Sequence, residues 1–184
     1  LYSASQLAPI CLKLTPICLF FLLFYPYTKR FTFLCHYFLG VALAMAPAGG
    51  YIAVTGELPF GIILLSGGVC LWIGSFDVIY GSQDRQFDLD HKLHSMATQF
   101  GVANAHKIAA FFHFISILCF IGAGIYFDLS FIYYIGVLIA ILTLIYQHSL
   151  ITPYDFSRLT QVYFMRNGIV SIVIFVFTLI DILS

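Results

Sequence analysis

The chain has 184 residues, no net charge at neutral pH and a mean hydropathy of +1.00, with 61% hydrophobic and 9% charged residues. A soluble domain carries about a quarter charged residues, so this composition excludes an ordinary soluble globular protein. Apolar runs of about 20 residues match the thickness of a bilayer, and there is no alternating pattern of the kind that a β-barrel requires. The zero net charge gives no indication of a nucleic-acid partner.

Six apolar segments predict six helices. In chain order they run approximately over Thr15–Tyr27, Phe33–Val54, Phe60–Tyr80, His106–Phe127, Phe131–Leu150 and Val162–Leu183. Leu7–Lys13 is predicted to be the end of an earlier helix, broken at Pro9 and Pro16. A long polar loop, Gly81–Ala105, separates the third helix from the fourth. We therefore expect an all-α, polytopic transmembrane bundle that forms a single domain over residues 1–184.

The basic residues are concentrated on one side of this predicted bundle. The loops and helix ends on that side hold Lys29, Arg30, Arg85, Lys92, Lys107, Arg158 and Arg166. The opposite side holds Lys13, with Glu57 and Asp128 in its short turns. The positive-inside rule then places the polar loop in the cytoplasm and both ends of the chain outside. The stretch that starts at Leu1 has no charged n-region and no cleavage site, so it is not a signal peptide that would explain an outside N-terminus. We therefore expect an N-terminal truncation that removes an odd number of helices.

Four aspartates gather in "SFDVIYGSQDRQFDLDHKLHS", residues 75–95. Asp84 and Asp88 are four residues apart, so they share a face if the third helix continues past the membrane edge. Asp77 is seven residues before Asp84 and lies within the third apolar segment, where an acid is costly and usually functional. Carboxylates alone favour Mg²⁺ or Ca²⁺ over zinc, and Mg²⁺ commonly binds substrate phosphates as well. The pattern therefore predicts a diphosphate held through magnesium.

A plainer interpretation of this loop is also open. The acids could be solvated and paired with Arg85 and Lys92 of the same loop.

A second polar patch, "YPYTKR" at Tyr25–Arg30, closes the first predicted helix on the same side. Tyr25 and Lys29 are again four residues apart. The lysine could bind a phosphate as a point charge, and the tyrosine could hydrogen-bond the substrate or shield a developing cation with its ring. The alternative is an interfacial tyrosine with basic membrane anchors.

Together with "FTFLCHYFLGVALAMAP", these two patches resemble the UbiA superfamily of membrane prenyltransferases. The family's YxxxK signature would be Tyr25–Lys29, and its second aspartate-rich motif would be Asp84–Asp88. The resemblance covers the whole chain, including "FMRNGIV" around Asn167, and is strongest to the aromatic-acid polyprenyltransferases of quinone biosynthesis. It implies about six of the family's nine helices, with the first aspartate-rich motif in the part upstream.

The resemblance implies transfer of a prenyl group from an allylic polyprenyl diphosphate to an aromatic acid such as 4-hydroxybenzoate, at the inner membrane and with Mg²⁺ as cofactor. The residues then expected to be catalytic are Asp84, Asp88, Lys29 and Tyr25. The metal ligands would come from Asp84, Asp88 and Asp77, and contacts to the diphosphate or carboxylate from Lys29, Arg85 and Lys92.

Two alternatives to an active enzyme remain open. One is an inactive remnant or partner subunit that depends on another chain for the first motif. The other is a small membrane transporter, with Asp77 and the histidines as a proton path.

Overall fold

The computed structural model describes Leu7, residues 9–152, Phe156 and residues 164–184, with the side chains of the last range from Asn167 onward. The helices in chain order are α1 (Pro9–Phe24), α2 (Cys35–Thr55), α3 (Phe60–Gly81), α4 (Arg85–Asp90), α5 (Met96–Phe100), α6 (Val102–Tyr126), α7 (Phe131–Leu150) and α8 (Phe164–Leu183). Five of the six long helices are long and apolar enough to cross a membrane, and Asn167–Leu183 in α8 is a shorter apolar helix. The predicted all-α, polytopic bundle is confirmed.

The first helix differs from its prediction. α1 begins at Pro9 and continues through Pro16 to Phe24, so residues 9–13 belong to this helix and not to an earlier one. Pro9 occupies the first helical position, where its missing N–H costs no intrahelical bond. Pro16 removes one backbone bond, but the adjacent Thr15 hydroxyl donates to the Cys11 carbonyl at 2.8 Å and supports that turn. The other predicted bounds lie close to the observed ones, and Val162 lies outside the described residues.

Helix α3 lies at the centre of the bundle. It packs against α2 on one side and α6 on the other, while α7 contacts α6 and α8, and α1 lies along α2. Where α3, α6, α7 and α8 meet, the buried side chains form one apolar core: Trp72, Ile117, Phe120, Tyr133, Val137, Ala140, Leu144 and Val170. Interhelical hydrogen bonds cross this core, among them the Tyr133 hydroxyl to the Phe120 carbonyl at 2.8 Å. Such bonds satisfy polar groups that have no water partner in a bilayer.

The polar stretch between α3 and α6 is folded. It contains a 3₁₀ turn at Ser82–Asp84 and the two short helices α4 and α5. Ser95 and Thr98 form a capping box at the start of α5, with the Thr98 N–H donating to the Ser95 hydroxyl at 3.2 Å and the Ser95 N–H donating to the Thr98 hydroxyl at 2.8 Å. A second apolar core lies against this region: Val78, Ile79, Met96, Ala97, Ala105 and Ala109. The predicted polar loop, Gly81–Ala105, therefore contains helical structure over much of its length, because burial of these apolar residues organises it.

Close contact between α2 and α3 depends on Gly40. A Cβ atom added at this position would lie 2.3 Å from the carbonyl oxygen of Cys70. Because that neighbour is a backbone atom, it cannot rotate away, and the helices would have to separate. We expect Gly40→Ala to lower the free energy of unfolding by about 1–3 kcal/mol, the usual cost of overpacking a core. Thermal unfolding of the purified protein in detergent micelles measures the change.

Gly49 provides a matched control for this prediction. It lies in the same helix, and an added Cβ atom there meets nothing within 4 Å. Gly49→Ala should therefore keep or slightly raise the unfolding temperature, since alanine favours a helix by about 1 kcal/mol over glycine. Equal unfolding temperatures for the two variants would contradict the close α2–α3 contact.

Candidate active site

Lys29 lies on a 3₁₀ turn, Tyr25–Arg30, that directly follows α1. Pro26 is the second residue of the turn, and the buried Thr28 donates its hydroxyl hydrogen to the Tyr25 carbonyl. The Lys29 carbonyl accepts the backbone N–H of His94 at 2.7 Å. This bond holds the turn against the segment that links α4 to α5, so the position of Lys29 depends on both motifs.

The two predicted motifs meet in one ion pair. The Lys29 Nζ atom lies 3.2 Å from Oδ1 and 3.1 Å from Oδ2 of Asp88, although the two residues are 59 positions apart. The Asp88 side chain is 1% exposed, whereas that of Lys29 is 31% exposed. A buried carboxylate needs a compensating charge, and the lysine supplies it while keeping one side open to solvent.

Asp77 forms the second ion pair of the described residues. Its Oδ2 atom lies 2.7 Å from Nδ1 of His36, a buried residue at the start of α2. Gly81 makes room for this ring, since an added Cβ atom there would lie 2.8 Å from Cε1 of His36. His36 is not among the predicted site residues, because a single histidine in an apolar segment has no ligand spacing. Its one available signal was its place just after "YPYTKR".

Asp84 and Asp88 occupy different environments. α3 ends at Gly81 and a 3₁₀ turn follows, in which the Ser82 hydroxyl donates to the Val78 carbonyl at 2.7 Å. Asp84 is the last residue of this turn and α4 begins at Arg85, so a helical run interrupted by one 3₁₀ turn extends from Phe60 to Asp90 and the two aspartates remain one turn apart. Asp84 is exposed, and its carboxylate has no hydrogen bond or ion pair with the part of the chain that the structure describes. The site thus offers one open carboxylate and one buried, paired carboxylate.

The remaining predicted residues lie around this pair. Arg85 is half-buried, and its Nε–H donates to the Ala97 carbonyl at 3.0 Å, which ties α4 to α5. Lys92 is exposed just after α4 and adopts φ 55°, in the left-handed region that few lysines occupy. Tyr25 is half-buried at the first position of its turn.

The plainer interpretation of the loop, in which its acids pair with Arg85 and Lys92, is not observed. Across residues 9–152 and 167–184, the ion pairs are Lys29–Asp88 and His36–Asp77.

An apolar cavity of about 590 Å³ begins one turn of α3 before Asp77 and lies between α2, α3, α6 and α8. Leu43, Val69, Phe120 and Phe175 are among its lining residues. Two buried polar atoms on its lining residues, the indole nitrogen of Trp72 and the amide oxygen of Asn167, have no hydrogen-bond partner among the residues that the structure describes. A cavity of this size and lining suits an apolar ligand with a few polar contacts.

The carboxylates of this site are candidate ligands for the predicted magnesium ion. Within the described residues, no three or more histidine, cysteine, aspartate or glutamate side chains converge as a metal cluster would require. Magnesium does not need such a cluster, because it usually keeps several waters and binds one or two carboxylates together with substrate phosphates. Asp84 has unoccupied oxygens, and each oxygen of Asp88 keeps a lone pair beyond its bond to Lys29. These residues therefore fit a magnesium ion held mainly by water and phosphate.

The fold and the site define an integral-membrane helical protein with paired and open charges at one end of its bundle, next to an apolar cavity. Residues 1–169 match the UbiA prenyltransferase family, and the chain belongs to that family. The resemblance found in the two motifs is thereby confirmed.

Individual relatives agree with this assignment. The chain is 30% identical over 172 residues to a 4-hydroxybenzoate octaprenyltransferase from Nitrosospira multiformis, covering 94% of this chain and 59% of that protein. It is 34% identical over 145 residues to one from Shewanella piezotolerans, covering 79% and 50% respectively. The structure of a UbiA homolog from Aeropyrum pernix K1 without ligands matches with a TM-score of 0.84 and 27% identity, covering 98% of this chain and 67% of that one. The chain thus spans about half to three-fifths of the length of these curated relatives.

Proposed function

We propose that this protein transfers a prenyl group from an allylic polyprenyl diphosphate to an aromatic acid such as 4-hydroxybenzoate, in ubiquinone or menaquinone biosynthesis. The ion pair between Lys29 and Asp88 is the observation that carries the proposal, since it brings a phosphate-binding cation and a potential metal ligand together. Relatives named 4-hydroxybenzoate octaprenyltransferase support the choice of acceptor.

Asp84 and Asp88 would hold a magnesium ion, and Asp77 is a third candidate through the oxygen that is not bonded to His36. When bound, the ion would offset negative charge on the leaving diphosphate. Asp84 would supply an open carboxylate to the ion, and Asp88 would supply a buried one whose charge is shared with Lys29.

The Lys29 ammonium would donate to an oxygen of the diphosphate. As the allylic C–O bond breaks, its electron pair leaves with the diphosphate, and the ammonium stabilises the charge that develops there. A ring carbon of the aromatic acid then forms a C–C bond with the allylic carbon, and the ring loses a proton. Tyr25, on the same turn, would bind the diphosphate or shield the cation with its ring, and Arg85 and Lys92 would contact the anionic groups from the loop.

The apolar cavity would exclude water from the allylic cation, which water would otherwise capture. The prenyl chain would lie in this cavity or in the lipid beside it. Since the basic residues gather at the same end of the bundle, we place the site on the cytoplasmic face of the inner membrane.

A transfer assay tests the proposal. Membranes that contain the complete protein encoded by its gene, from cells lacking their own 4-hydroxybenzoate prenyltransferase, receive radiolabelled 4-hydroxybenzoate, a polyprenyl diphosphate and Mg²⁺. Label should pass into the organic extract, because the product carries a long apolar chain. A chelator should abolish the transfer, and added Mg²⁺ should restore it.

Transfer that persists undiminished in the chelator would contradict the magnesium role. Absence of transfer with a panel of aromatic acids would contradict the proposed reaction. A transporter would instead show solute uptake into vesicles that depends on Asp77 and is indifferent to Asp84 and Asp88.

A further inference from the structure

A second apolar pocket, separate from the cavity beside α8, lies between α6 and α7. This groove has a volume of about 480 Å³ and is lined by Phe114, Leu118, Ile121, Ile141 and Ile145 together with two histidines, His113 and His148. Several of its lining residues are exposed, Phe114 at 59%, so the groove opens toward the lipid. None of its lining residues belongs to the ion pairs described above.

The direction of the hydrogen bonds at the histidine pair follows from their partners. Nε2 of His113 lies 3.1 Å from the Trp72 carbonyl, which can only accept, so this nitrogen carries the hydrogen. His113 is 3% exposed in an apolar helix interface, where a charged ring is costly, so its other nitrogen, Nδ1, is an acceptor. Nδ1 lies 2.8 Å from Nε2 of His148, which must therefore donate.

These two hydrogen bonds determine which nitrogen of His148 can accept a hydrogen bond from a ligand in the groove. His148 is half-buried among the apolar side chains of the groove, where a charged ring is also costly, so it is neutral and its one N–H is used toward His113. Its Nδ1 atom therefore keeps a free lone pair, and no described residue donates to it. A ligand that complements this atom must carry a hydrogen-bond donor. Quinone carbonyls, esters and phosphodiesters have only acceptors and do not satisfy it.

We propose that the groove binds a phenolic lipid, with its hydroxyl donating to Nδ1 of His148 and its apolar chain lying along Leu118 and Ile121. A phenol suits the site better than an alkyl alcohol, because it is the stronger donor and its ring can pack on the exposed ring of Phe114. In one respect the assignment rests on the proposed function: the product of that reaction is itself a phenol with a long prenyl chain. The groove would hold this product as it enters the membrane.

A binding experiment tests the groove without any catalysis. The complete protein in phosphatidylcholine nanodiscs is titrated with radiolabelled 4-dodecylphenol and, separately, with its methyl ether, which keeps the ring and chain but lacks the donor. We expect the phenol to bind about fivefold more tightly, the ratio that corresponds to one hydrogen bond of about 1 kcal/mol. His148→Phe should remove this preference while keeping a ring in place.

His91→Phe is the matched control, since His91 is an exposed histidine far from the groove in the chain, and it should keep the fivefold preference. If His148→Phe unfolds, Leu118→Trp, which fills the groove, should weaken binding of both probes. Equal affinities for phenol and ether in the wild-type protein would overturn the proposal. A phenol preference that survives in folded His148→Phe would also overturn it. Displacement of the phenol by an equal amount of phosphatidylglycerol, whose head group also carries hydroxyls, would do the same.

The outcomes separate the groove from the proposed reaction. If the protein does not transfer prenyl groups but still prefers the phenol through His148, the proposed reaction is wrong and the binding site in the groove is supported. If the protein is active but has no preference for the phenol, the proposed reaction is supported and the binding site is wrong.

Discussion

Replacement of Lys29 by methionine is expected to lower kcat/KM for prenyl transfer by about 10²–10³-fold, the loss typical when one group that stabilises developing charge is removed. Methionine keeps the length of the side chain and removes its charge. In the structure, the ammonium is the cation bound to Asp88, and it is the partly exposed member of that pair. It can therefore reach a phosphate oxygen without leaving its carboxylate partner. Initial rates at varied polyprenyl diphosphate concentration measure the effect.

The same change also affects stability, because Asp88 would keep a buried charge without its partner. Breaking a buried ion pair in this way costs about 3–5 kcal/mol. The double variant Lys29→Met with Asp88→Asn removes both charges, so its unfolding temperature should recover while its activity stays low. Lys107→Met is the matched control, since Lys107 is exposed on the same side of the bundle and should keep normal transfer. If the double variant regained wild-type turnover, the pair would be structural and the proposed role of Lys29 would be wrong.

The helical bundle could be predicted from the sequence because its signal is local. Apolar runs of about 20 residues determine the spans, and the predicted and observed bounds of α7, Phe131–Leu150, coincide. The error at α1 has a local cause too: Pro16 has the sequence signature of a helix break, yet one lost backbone bond does not end a helix that is otherwise apolar and continuous.

The site was predictable only in part. Motif spacing is enough to propose Tyr25, Lys29 and Asp88 as candidates, but the pairing of Lys29 with Asp88 depends on how two distant turns pack together. The short helices within residues 81–105 could not be predicted because their organising contacts are tertiary: the hydroxyl of Ser82 and the capping box at Ser95 act only once the apolar residues beneath are buried. Spacing could not reveal that the two aspartates of one motif differ in exposure.

That difference in exposure leads to the most selective test of the magnesium role. Asp84→Asn should lower magnesium-dependent transfer by about 10²-fold or more and raise the Mg²⁺ concentration needed for half-maximal rate, because a carboxylate that binds the ion is lost. The unfolding temperature should hardly change, since the exposed Asp84 carboxylate has no partner among the described residues. Rates measured across a Mg²⁺ titration, with thermal unfolding of the same preparation, give both quantities.

Asp90→Asn supplies the matched control. Asp90 is also an exposed aspartate of this segment, and its carboxylate accepts the side-chain N–H of Gln86 at 2.9 Å. Its replacement removes the same charge from the same surface, so a general electrostatic effect on substrate attraction would lower both rates alike. A metal ligand would lower the rate at Asp84 alone and leave Asp90→Asn within about twofold of wild type, since surface changes away from a site are usually mild. Equal losses in the two variants, or a normal Mg²⁺ dependence in Asp84→Asn, would mean that Asp84 does not hold the ion and that its exposure reflects solvation only.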